Sequence, residues 1–201
     1  NVQDKLTSRA VTDKSGSVLY TYTVNSGDQI NDGVELSLSY TAIDNKKSVI
    51  STLRPFVTLT YSDFNYDDFK SDANNNEQTK DYSGNTVIGV PPLLFNVGLN
   101  VVSKYGFYFD GSFQYVDDMY ITFDNNHEAP AYSLLNAKLG YQKTISKHWN
   151  IDLYAGGNNL TNSLYYNMVF INWERGAQPS IYSPGAFNPT FYGGAKLKYT
   201  F

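Results

Sequence analysis

Period-two alternation runs through segment after segment of this chain, and only a β-strand puts every second side chain on one face. Near the end, Phe191, Gly193, Ala195, Leu197, Tyr199 and Phe201 share a face, opposed by Tyr192, Gly194, Lys196, Lys198 and Thr200. Trp149, Ile151, Leu153, Ala155 and Gly157 stand against Asn150, Asp152, Tyr154, Gly156 and Asn158 in the same way. Upstream, Leu135, Ala137, Leu139 and Tyr141 oppose Asn136, Lys138, Gly140 and Gln142, and Phe107, Phe109, Phe113 and Tyr115 oppose Tyr108, Asp110, Ser112 and Gln114. Segments around Phe95–Val101, Val57–Tyr61 and Val34–Tyr40 repeat it. Two less regular stretches, Asn1 to about Ser8 and Ser17 to about Asn25, bring the total to about eight strands, the second running on through Gly33 into the Val34 segment.

The expected connections alternate in length. Asp44 to Ser48, Ser103 to Gly106 and Thr144 to His148 are tight, whereas Asp63 to Thr86, Phe123 to Ala131 and Thr161 to Thr190 are long. Short turns on one rim and long loops on the other is the arrangement of bacterial outer-membrane barrels. A water-soluble sandwich also alternates, but its outer face is rich in Lys and Glu. Here the polar positions are dominated by Ser, Thr, Asn, Gly and Tyr, with sparse charge. Tyr40, Tyr61, Tyr115, Tyr141, Trp149 and Tyr199 sit where apolar bands end, as interfacial aromatics do in a membrane. The wealth of aromatics, with 18 Tyr and 12 Phe, favours strands over helices.

Several function classes are excluded or disfavoured. Without cysteine there is no disulfide scaffold, thiolate metal site or Cys nucleophile. A net charge of −4 with no long basic run speaks against nucleic-acid partners. No window approaches the roughly 18 apolar residues of a membrane-spanning helix. His127 and His148 are isolated and assemble neither a metal cage nor a triad, so no enzymatic activity and no cofactor are expected.

A set of local motifs narrows the function. Asn25-Ser26-Gly27 followed by Gly33-Val34-Glu35, Val90-Pro91-Pro92 before Asn96-Val97-Gly98-Leu99, and Tyr132-Ser133-Leu134-Leu135-Asn136 occur in order. The most specific is Gly157-Asn158-Asn159-Leu160-Thr161-Asn162 followed by Tyr165 and Tyr166, and the chain closes on Tyr199-Thr200-Phe201. Together they resemble the C-terminal part of the β-barrel of TonB-dependent outer-membrane transporters, over nearly the whole chain.

The resemblance implies an all-β fold in which residues 1–201 form a transmembrane segment of about eight antiparallel strands, the last third of a barrel of about 22 strands. The family's plug domain and TonB-contacting box have no counterpart in these residues, so the chain is expected to be a piece of a longer protein. It implies a place in the bacterial outer membrane and TonB-energised uptake of a large scarce nutrient such as an iron–siderophore, cobalamin or a glycan. The partners implied are outer-membrane lipid, the rest of the barrel and its plug, TonB acting through the N-terminal part, and a surface lipoprotein. The competing reading is a self-contained small barrel with a structural or adhesin role. In that reading the narrow interior would be filled by its own side chains, whereas the inward Gly98, Gly140, Gly156 and Gly194 fill little space.

Candidate sites follow from these placements. Tyr165, Tyr166, Trp173, Glu174, Arg175, Gln178 and Tyr182 lie in the last long loop, an aromatic and hydrogen-bonding set suited to gripping a polar ligand or metal chelate. Glu35, Asp110, Lys138, Asp152, Lys196 and Lys198 are expected to face the lumen and to form hydrogen bonds or salt bridges across strands or to the plug. Phe201 is expected to signal barrel assembly. Asp67, Asp68 and Asp72 in an acidic loop are weak calcium candidates, because Glu77 and Ser83 stand where a calcium loop needs Gly and Glu. Asn159-Leu160-Thr161 matches a glycosylation sequon by chance.

Overall fold

The computed structural model describes residues 2–3, 6–13, 15, 17–25, 27–72, 79–169, 184–186 and 188–201. The strands in chain order are β1 (Leu6–Thr12), β2 (Val18–Asn25), β3 (Gly27–Ser39), β4 (Ile43–Asp44), β5 (Ile50–Asp72), β6 (Thr79–Asp81), β7 (Leu93–Ser103), β8 (Phe107–Val116), β9 (Met119–Tyr120), β10 (Glu128–Ala129), β11 (Tyr132–Thr144), β12 (Trp149–Asn158) and β13 (Thr190–Tyr199). No helix occurs among the described residues. One antiparallel sheet runs β13-β12-β11-β8-β7-β5-β3, with β4 and β6 on the flanks of β5, and β1 and β2 form a separate hairpin. β3 and β13 end this path on opposite edges and do not pair with each other.

Register carries the alternation across the whole sheet. Leu53 faces Val101, Val101 faces Phe109, Phe109 faces Leu139, and Leu139 faces Ala155. Leu38, Val57, Val97, Phe113 and Leu135 make a second apolar row. The row between them on the other face reads Arg54, Asn100, Asp110, Lys138, Gly156 and Tyr192. A one-residue slip anywhere would mix the two faces, so the pattern itself fixes register.

The apolar face covers no core. Leu197 is 61% exposed, Leu139 59% and Val97 42%, and exposed apolar side chains that continue from strand to strand are what soluble monomers seldom leave bare. The buried apolar side chains among the described residues, including Tyr66, Phe69, Tyr82, Val87 and Ile121, gather at the long-loop rim, on the far end of β5 and in the loops beside it. That arrangement is incompatible with a sandwich, whose core fills the space between two sheets.

Aromatics bracket the apolar band. At the turn rim Phe107 meets Tyr141 at 4.8 Å between ring centroids and Trp149 meets Tyr199 at 4.9 Å. At the other rim Phe95 stacks on Tyr115 at 5.4 Å. From Phe107 to Tyr115 along β8 is about 26 Å at ~3.3 Å per residue, which at a strand tilt of ~40° projects to about 20 Å, most of the ~25 Å apolar height of an outer-membrane barrel.

Two expectations need correction. The stretch from Asp63 is no loop: β5 continues through Asp72 and pairs with Gly27–Asp32 of β3, then with β6. A bulge opposite Asp28 and Gln29 leaves Asp67 unpaired, so Tyr66 and Phe69 fall on the same face although three apart. Gly27 sits at φ 135°, and a Cβ there would overlap the Asp68 carbonyl, so the close approach of β3 to the bulge requires glycine. The first strand also lies later than expected, at Leu6–Thr12.

The polar face explains its glycines. A Cβ on Gly140 would collide with the Tyr108 ring, on Gly98 with Phe56, on Gly156 with Tyr192 and on Gly194 with Tyr154. The space these glycines leave is filled by rings from the neighbouring strand, so it adds no free volume on the polar face. Gly140→Ala is therefore expected to cost about 1–3 kcal/mol by overpacking. Adding Tyr108→Ala should recover much of that loss, which a double-mutant cycle in the full-length protein would read.

Candidate functional site

Three groupings stand out, in order of distance from the turn rim. The first is a polar network on the face lined by β7, β8, β11 and β12. Asn100 Nδ2 donates to Asp110 Oδ1 at 2.8 Å, and the Tyr108 hydroxyl donates to Asp152 Oδ1 at 2.9 Å. The Lys138 ammonium lies 4.7 Å from the Tyr154 ring centroid and 5.3 Å from that of Tyr108, a cation held on two ring faces. A concavity of about 480 Å³ opens beside it, and a second of about 300 Å³ shares Asp110 and Lys138 as lining.

Register places Glu35 opposite Thr60, Asp110 opposite Lys138, Asp152 opposite Lys196 and Lys198 opposite Asn150, all on this polar face. No ion pair joins them among the described residues; neutral donors and aromatic faces satisfy the ones that pair. Tyr108, Tyr154 and Asn100 complete the network and were not singled out from sequence. Their signal is the glycine or carboxylate directly across the strand pair, which a reading strand by strand does not expose.

The second grouping is the base of the last long loop. Asn159 is 2% exposed and sits at φ 53°. Its Nδ2 donates to the carbonyls of Ser163 and Ala186, both at 2.9 Å, and its Oδ1 accepts from Ser163 N at 2.9 Å. Its own N–H reaches Asn136 Oδ1 at 3.0 Å. Thr161 and Ser163 both bond the Ser133 carbonyl. With both side-chain polar atoms engaged and buried, Asn159 is a clasp on the loop's neck. The sequon it heads is not presented to solvent.

Tyr165 packs against the Tyr132 ring at 5.2 Å and covers Gly185, whose N–H donates to the Tyr165 carbonyl at 2.8 Å. Tyr166 bridges Pro184. Trp173, Glu174, Arg175, Gln178 and Tyr182 lie outside the described residues. The sequence motif that begins at Gly157 thus builds the frame from which that loop projects.

The third grouping is the aromatic cluster above the sheet, where Tyr66 stacks on Phe69 at 4.4 Å and Phe123 meets Phe69 at 4.9 Å. Burial pushes the Tyr66 phenol up to about 12; this residue lies past the Tyr61 end of the apolar band. Because the folded value is raised, the associated stability is complete below the ordinary phenol value and is lost as pH climbs through about 12. Titration followed by phenolate absorbance is expected to show a tyrosine class ionising near that pH and cooperative loosening of the cluster with it.

The acidic residues near this cluster do not converge. Asp67 and Asp68 are exposed, Asp68 pairs with Lys70 at 3.4 Å, and Asp72 ends β5. Among the described residues no three His, Asp or Glu side chains assemble into a metal-binding group. His148 Nδ1 lies 2.9 Å from the Thr200 carbonyl. Phe201 stands fully exposed, its ring edge-on to Tyr199 at 5.1 Å.

The model of the family described as TonB dependent receptor-like, beta-barrel matches residues 1–160. The chain belongs to that family. Solved structures agree on the fold. The siderophore receptor PiuA from Acinetobacter baumannii matches with a TM-score of 0.67 at 19% identity, over 97% of this chain and 25% of its own. The ferric preacinetobactin receptor BauA from the same organism matches at 0.63 and 22% identity, over 97% and 25%. The ferric-catecholate import receptor Fiu from Escherichia coli K12 gives 0.63 at 14% identity, over 98% and 24%.

This TonB-dependent receptor chain spans about a quarter of the length of those receptors. No curated protein matches the sequence. Two faces, long strands and loops gathered on one rim are what a sector of a receptor barrel of this family consists of.

Proposed function

We propose that the chain forms a sector of the wall of an outer-membrane receptor that takes up a large scarce nutrient, an iron–siderophore, cobalamin or glycan, using energy delivered by TonB. The observation that carries this reading is the continuous apolar face, exposed and bounded by aromatics, backed by a polar face. A soluble protein gains nothing from such a surface, whereas a bilayer rewards it.

In this reading β3 and β13 pair with further strands of the same barrel, because hydrocarbon offers no water to their unpaired N–H and C=O groups. The Asp110, Lys138 and Asp152 network then faces the lumen and a plug within it. Tyr166 and the residues at 173–182 meet ligand, and the loop rim is the side from which a ligand or a surface lipoprotein approaches. Phe201 serves the assembly machinery. A self-contained small barrel would require β3 to pair with β13, and no observation favours that.

The test is uptake by cells carrying the full-length protein as their sole receptor. Labelled ferric siderophores, cobalamin and oligosaccharides are offered, and accumulation of whichever is taken up is expected to disappear when TonB is deleted. Accumulation that persists without TonB overturns the reading.

A further inference from the structure

We infer that the two loops of residues 82–92 and 117–131 form one preorganised body, keyed by Asn125, so that a ligand meets a fixed rim there and not two closing flaps. The word ligand rests on the receptor reading above; the joining of the loops does not. Loops on a barrel rim ordinarily move separately, since each has few buried contacts of its own. These two share a core.

Phe123 of the second loop inserts among Tyr66 and Phe69 of β5 and Tyr82 of the first loop, at 6.0, 4.9 and 5.6 Å between centroids. Polar links close the seam around it. Asn125 brackets the Thr86 backbone, accepting from its N–H at 2.8 Å and donating to its carbonyl at 3.0 Å. An amide side chain thereby stands in for a strand partner. Asn85 Nδ2 donates to the Phe123 carbonyl at 2.7 Å, and Gly89 N–H to the Tyr120 carbonyl at 2.8 Å.

Position 125 has φ 54°, a conformation asparagine adopts more readily than most residues. The first loop is in turn tied to the sheet by Val87 N–H to the Phe64 carbonyl at 2.8 Å and Tyr66 N–H to the Asn85 carbonyl at 2.9 Å. Opening either loop exposes aromatic surface and strands polar groups belonging to the other. Neither can lift alone.

Hydrogen exchange at residue resolution in the full-length receptor tests this. In the unaltered protein the amides of Val87, Gly89 and Ile121 are expected to exchange at one common opening rate. Asn125→Gly, which removes the side chain yet permits the positive φ, should accelerate all three together by about tenfold or more and leave β7 and β8 amides unchanged. Acceleration confined to residues 117–131, or unrelated rates at the three amides in the unaltered protein, would overturn the proposal. Labelling Lys80 on whole cells with an impermeant amine reagent reads the outward orientation separately. Unlabelled Lys80 with coupled exchange would remove the receptor orientation and leave the joined loops standing.

Discussion

Leu139→Arg is expected to destabilise the assembled protein by about 1–3 kcal/mol, the cost of a cation inside the apolar band of a barrel, part-way between its middle and the turn rim. Leu139 is 59% exposed, pairs with Phe109 on one side and Ala155 on the other, and lies near the centre of the sheet. Arginine there has no carboxylate to meet on its own face, and must stretch two residues along the strand to reach the Tyr141 rim. Gln142→Lys, three residues along on the polar face beside Asp152, should change stability by less than about 0.5 kcal/mol. The yield of folded full-length protein in membranes, and its resistance to denaturant, reads the difference. Equal effects at the two positions would mean that the faces are not in different media.

Asn159→Ala should be the other large loss, about 3 kcal/mol or more. The substitution leaves the Ser163 and Ala186 carbonyls and the Ser163 N–H without their partner at a buried site. It also forces alanine into a left-handed conformation that costs it ~1–2 kcal/mol. Asn159→Gly removes the backbone strain alone and should recover about that part. Limited proteolysis of the full-length protein is the readout, with new cleavage expected near residues 163–169 and 184–186. Unaltered resistance in Asn159→Ala would show that the neck of the loop is held by something else.

Residues on the sheet itself were legible from sequence because burial on one side and polarity on the other leave a period-two imprint. Leu135 to Tyr141, Trp149 to Gly157 and Phe191 to Tyr199 fall where the alternation put them. The run Asp63-Phe64-Asn65-Tyr66-Asp67-Asp68-Phe69 defeated the same logic. Its aspartates mimic a solvated loop, and the bulge at Asp67 breaks the phase, so two inward aromatics appear three apart. The network on the polar face was half legible: the charged residues could be placed on a face, but Tyr108 over Gly140 and Lys138 between two rings depend on neighbours distant in sequence. For Asn159 the motif was visible and its role was not, because a clasp between Ser163 and Ala186 requires knowing that the loop returns.

Site-directed nitroxide scanning of residues 137–142 in the full-length receptor, reconstituted in bilayers, tests the central claim most directly. Cysteine is absent from these 201 residues, so within them each label is unique. Collision with dissolved oxygen, which concentrates in hydrocarbon, is predicted to peak at Ala137, Leu139 and Tyr141 and to fall at Lys138, Gly140 and Gln142. The opposite phase, or no alternation, would contradict a wall with lipid on one side and a polar interior on the other.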